Sequence, residues 1–151
     1  MPKSKTKKSK PIKSPANKIP ARFAQLRAGE FYQALISEPN ALNRFYHVLA
    51  TRIVDGDVLS IHFVLERSGR FHTYYNNWYN RLSFEKAKSD AYLEGIHFKP
   101  TTPSAAKKLI LSASTHAEQN NYIVPSVFNT LKNIFYDINA EDATDVEFIF
   151  E

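Results

Sequence analysis

Residues 57–79 read DVLSIHFVLERSGRFHTYYNNWY. Leu59, Ile61, Phe63 and Leu65 alternate with Ser60, His62, Val64 and Glu66, the period of a strand with one apolar face. Ser68-Gly69 can close a hairpin into the aromatic run that follows. If Glu66 pairs with Phe71, Leu65 faces His72 and Phe63 faces Tyr74 on the core side. His62, Thr73 and Tyr75 then lie on the other face. Just upstream, Asp55-Gly56 is the strongest short hairpin signal in the chain. In ALNRFYHVLATRIV (41–54), Leu42, Phe45, Tyr46, Leu49 and Ile53 fit a helical stripe, whereas Val48, Thr51, Ile53 and Val54 favour strand. The reading adopted is a short helix near 39–44, then a strand entering the Asp55-Gly56 turn. Residues 45–79 thus form an antiparallel meander.

Helical signals surround it. Pro20 suits the first turn of a helix through ARFAQLRAGEFYQALIS (21–37). Ser83 is placed to cap a helix ending near Gly95, Thr102-Pro103 opens another, and Ser126 a third, with Val127, Leu131, Ile134, Phe135 and Ile138 on one face. The closing DVEFIFE (145–151) alternates Val146, Phe148 and Phe150 with Glu147, Ile149 and Glu151 and predicts a last strand. The fold class expected is α+β: a small antiparallel sheet, the meander plus a C-terminal strand, packed on one side with three to five helices.

The charge is unevenly placed. Lys3, Lys5, Lys7, Lys8, Lys10, Lys13 and Lys18 stand in residues 1–18 without a single acid, whereas 137–151 hold six acids and no base. Residues 1–19 are mostly Lys, Ser and Pro, with too little apolar surface to offset their ordering entropy. They are expected to form a disordered basic arm, with 20–151 a single α+β domain. Cysteine is absent, which excludes disulfide frameworks, cysteine zinc sites and thiol nucleophiles. No apolar run approaches the roughly 18 residues of a membrane span, and MPKSKTKKSK leads into no apolar signal core. A soluble intracellular protein of cytoplasm, nucleus or nucleoid is expected.

Catalytic and metal motifs do not emerge. His47, His62, His72, His97 and His116 form no HExxH and no i,i+4 pair, and the register above puts His62 and His72 on opposite faces. Asp55-Gly56-Asp57 reads as a turn, Glu141-Asp142 as a solvated loop, and four glycines leave little material for a phosphate loop. The expectation is a non-enzymatic protein without cofactor or metal.

Two features point instead to DNA or RNA. Flexible lysines displace condensed counterions from phosphates without fixed geometry, although the same arm suits an addressing signal, an anionic membrane or a solubilising tail. Tyr75, Trp78 and Tyr79, with Arg67, Arg70 and Arg81 around them, have the composition of a base-stacking platform, and Asn76, Asn77 and Asn80 can bond base edges. The same rings would equally serve core packing. The alternative function is a protein–protein adaptor or assembly subunit, its partner another protein or a second copy of the chain, using the aromatic patch and the acidic C-terminal segment.

The aromatic sheet motif of RNA-recognition domains and a KH-type GxxG are both missing. From Phe45-Tyr46 through Ser68-Gly69-Arg70 to Phe84-Glu85-Lys86-Ala87, the strand–strand–helix spacing resembles that of WGR domains, which bind DNA ends, with serine in place of the defining Trp. The three-stranded DNA-reading domains of some plant transcription factors are similar in outline. Both resemblances, which cover about a third of the chain, imply DNA as a partner.

Overall fold

The computed structural model describes residues 29–126, 128–144, 146–148 and 150. The lysine arm and the start of the expected first helix lie outside them. Five strands form one antiparallel sheet: β1 (Glu30–Ser37), β2 (Tyr46–Val54), β3 (Asp57–Leu65), β4 (Phe71–Tyr79) and β5 (Lys99–Thr101), in spatial order β4-β3-β2-β1-β5. Helix α1 (Arg81–Leu93) follows β4, α2 (Pro103–Gln119) follows β5, and a single turn α3 (Phe128–Leu131) runs into a 3-10 turn over Lys132–Phe135. The class is α+β.

The meander forms as its periodicity requires. Leu59, Ile61, Phe63 and Leu65 of β3 are fully buried, facing Val48 and Ala50 of β2 on the same side. Against this face lies α2, whose stripe of Ala106, Leu109, Ile110, Ala113 and Ala117 is buried throughout. Small alanines let the helix approach the sheet closely, and Thr102 caps it by accepting from Ala105 N at 3.0 Å. Asp55 and Gly56 both take positive φ in the β2–β3 turn, the geometry that makes Asp-Gly a hairpin signal.

Five expectations are corrected. The helix read through residue 37 is, over Glu30–Ser37, the strand β1. A bulge between Phe31 and Ala34 inserts an extra residue, so that both side chains reach the main core. Three-residue spacing on one face is a helical signature, and here a bulged strand produces it. The short helix near 39–44 is instead a loop of asparagine turns: Asn40 Oδ1 accepts from Leu42 N and Asn43 N at 2.8 and 2.9 Å. No strand forms among the described residues of the C-terminal segment; the free edge of β1 is taken by β5, and Phe148 and Phe150 pack on the core as irregular chain. Finally, helices lie on both faces of the sheet. Asn80, not Ser83, caps α1, its Oδ1 accepting from Ser83 N at 2.7 Å. Phe84 of α1 is buried with Leu35, Leu49 and Val58 on the face opposite α2.

Gly29 sits where β1 approaches the end of β2. A Cβ there would lie 2.1 Å from the Ile53 carbonyl oxygen, a backbone atom that cannot turn aside. Gly29→Ala is expected to destabilise the domain by about 1–3 kcal/mol, read as a lower urea midpoint at unchanged slope.

Candidate nucleic-acid interface

The structure divides the residues that composition had grouped. Tyr75 and Tyr79 project on the α1 face, because they lie opposite His62 and Val58. Trp78, opposite Leu59, turns to the α2 face and packs against the main core, its indole N–H reaching Asp57 Oδ2 at 3.3 Å. Tyr79 is half-buried against Phe84 at 5.8 Å between ring centroids, and this burial raises its phenol pKa. Tyr75 alone of the three is exposed, at 52%. The three rings therefore do not form one platform.

The arginines separate likewise. Arg81 lies over the Tyr32 ring at 5.2 Å, at the α1 end of β4. Arg67 and Arg70 stand in the β3–β4 turn, where Arg70 caps the Tyr122 ring at 4.3 Å. The eight steps along the nine residues of β4, at about 3.4 Å each, put roughly 27 Å between the two ends. Asn76 lies on the α2 face opposite Ile61, and Asn77 on the α1 face opposite Ser60. The seven lysines lie outside the described residues.

Helix α1 covers the half of its face around Val58, Leu49 and Phe84, and Phe98, just before β5, packs over the rest, 6.4 Å from His47 and 5.5 Å from His62 between ring centroids. The other half holds a cluster that sequence reasoning missed. His47 and His62, across the β2–β3 pair, join through Nδ1 and Nε2 at 2.8 Å, and His47 Nε2 meets Asn43 Oδ1 at 2.7 Å. Phe45 N also donates to that oxygen, at 3.2 Å, which fixes the amide orientation. A consistent tautomer set follows: Nε2–H of His62 donates to Nδ1 of His47, whose Nε2–H donates to Asn43. Both rings are neutral in this chain. Burial, and then the neighbouring His72, lower the pKa of His47 to about 4; burial, and then His47, lower that of His62 to about 3.

His72 corrects the register argument. The β3–β4 ladder shifts between Val64 and Leu65, so Phe71 rather than His72 pairs with Leu65, while Phe63 does face Tyr74. The irregularity places the His72 imidazole on the Phe45 ring, 4.4 Å between centroids and 22° from parallel. Phe45 also meets His47 edge-on at 6.4 Å. His72 thus belongs beside His47 and His62, not opposite them. Among the described residues, no group of three or more His, Asp or Glu is placed to hold a metal ion.

Beyond Phe45, the β1–β2 loop and the β3–β4 turn enclose an open groove of about 620 Å³, lined by Leu42, Asn43, Arg44, Phe45, Glu66, Arg67 and Ser68. Arg44 and Arg67 are exposed and have no hydrogen-bond or ion-pair partner among the described residues. The site is therefore two free guanidinium groups beside a stacked ring pair, in the loops at one end of the sheet. Arg44 escaped sequence reading because residues 39–44 were read as a short helix, and Phe45 because it was read as the start of the meander. The available signal was Asn40 and Asn43, whose turns aim the next residues outward.

The class this defines is a five-stranded antiparallel sheet with a long helix on each face. Set against known proteins, the chain matches no family model, no curated protein and no solved structure. Among the described residues no helix is long and apolar enough to cross a membrane.

Proposed function

We propose that this is a non-enzymatic nucleic-acid-associated protein, in which the lysine arm supplies phosphate affinity and the arginine and aromatic residues of the sheet supply local contact. The observation that carries the reading is the pairing, at one end of the sheet, of unpartnered Arg44 and Arg67 with the exposed His72 ring stacked on the half-buried Phe45. Guanidinium beside an open ring is the combination that holds phosphate and stacks a base. Of the residues first singled out, Arg67, Arg70 and Tyr75 lie at or near this end. Trp78, Tyr79 and Arg81 are better read as packing or as contacts at the far end.

The test is a salt titration with DNA and RNA. Between about 50 and 200 mM salt, binding is expected to weaken about a hundredfold if the arm makes about four phosphate contacts, and deleting residues 1–18 should flatten that slope. An affinity indifferent to both changes sinks the proposal. One observation favours the adaptor reading: residues 1–28 hold nine Lys and Arg and no acid, whereas 29–151 hold eleven against fifteen acids. The arm of one copy would then suit the domain of another. Sedimentation at rising concentration separates the two, because a strict monomer counts against assembly.

A further inference from the structure

We infer that the groove between the β1–β2 loop and the β3–β4 turn is a subsite for single-stranded nucleic acid, with a backbone phosphate at Arg44 and Arg67 and a base on the open face of His72. This rests on the nucleic-acid reading above and names the substrate form and the residues that select it.

The two arginines come from different loops yet line one groove, and each retains all its donors. Arginine held this way offers a planar fork matched to phosphate oxygens. The rings provide the second element. One face of the His72 imidazole rests on Phe45, while 47% of its side-chain surface stays open. A base laid on that open side would extend a stack already begun by Phe45 and His72. Tyr75, exposed three residues along β4 and roughly 10 Å away, is spaced to meet a following base.

The geometry selects the single-stranded form. Duplex bases are stacked on one another and turn only their edges outward, so a ring face is useful only to an unpaired base. Glu66 opposes the anion. Its carboxylate lines the same groove, 4.0 Å from His72 Nδ1 and 3.5 Å from the Ser68 hydroxyl. The lining therefore carries two guanidinium groups against one carboxylate, and neutralising Glu66 should strengthen binding.

Fluorescence anisotropy with labelled 15-mers of dT and U, and a duplex of equal length, tests this on the full chain at 50 and 200 mM salt. The double variant R44A/R67A is expected to weaken both single strands about tenfold or more and to lower the salt slope by about one to two. H72A is expected to cost about tenfold, with little change in slope, because it removes a stack and not a charge. E66Q should bind severalfold tighter. If arm deletion abolishes binding while all three groove variants bind like the native chain, the subsite is overturned and the nucleic-acid reading stands. Equal affinity and equal sensitivity for the duplex overturn the single-strand assignment. Failure of the full chain to bind any of the three ligands at 50 mM salt overturns both.

Discussion

Urea denaturation at stepped pH is expected to show the domain losing stability steeply as pH falls from about 6.5 towards 4. His47 and His62 are the cause. In the unfolded chain each takes up a proton near 6.5, but in the folded protein not until about 4 and about 3. Within that window the unfolded state binds more protons, so stability falls with falling pH, by about 1.4 kcal/mol per pH unit for each histidine. Above 6.5 both forms are neutral and the effect vanishes. The structural reason is the hydrogen-bond chain: a proton added at His47 Nδ1 would face the N–H that His62 already directs there. A domain of this size has only about 5–15 kcal/mol to lose, so two acid units should bring it near unfolding. The double variant H47F/H62L should flatten the profile. A native chain equally stable at pH 7 and pH 4.5 would refute this account.

The second large effect is expected at Arg52, the only charged side chain fully buried among the described residues. It lies on the α2 face of β2, where Val48, Ala50 and Val54 are apolar. Its Nε donates to Ile134 O at 2.9 Å and Nη1 to Gly29 O at 2.8 Å, while Nη2 pairs with the Asp137 carboxylate. Phe31 and Tyr136 lie against the guanidinium at 5.4 and 4.8 Å. One side chain thus ties the start of β1 to the segment after α3, more than eighty residues away. Arg52→Ala removes these bonds and leaves carbonyls unpaired in a cavity; a loss of about 3–5 kcal/mol is expected in denaturant unfolding. Asp137→Asn should cost less, because Asp137 is 46% exposed and Arg52 keeps its two carbonyls. The hydrogen bond from Arg52 holds the Asp137 carboxyl below its usual pKa, against the opposing effect of burial. That contribution is present above the ordinary carboxylate range and is lost as pH falls through the lowered value. Equal costs at the two positions would show that the buried charge is not what matters.

What the sequence alone determined is local. The period of two in Leu59, Ile61, Phe63 and Leu65, the Asp55-Gly56 turn and the Thr102-Pro103 helix start act within a few residues, and the structure carries all three. Pairing Phe63 with Tyr74 also followed from the short Ser68-Gly69 connection. What only the tertiary structure decided are the places where one residue too many enters a strand. The bulge in β1 made a strand look helical, and the irregularity in β4 moved His72 to the side of His47 and His62. An inserted residue reverses the face of everything on one side of it, and whether it is accepted depends on the neighbouring strand, not on the inserted residue. The same holds for Arg52, which the alternation of β2 sends into an apolar layer. Its buried charge is tolerable only because Gly29, Ile134 and Asp137 converge on it from distant parts of the chain.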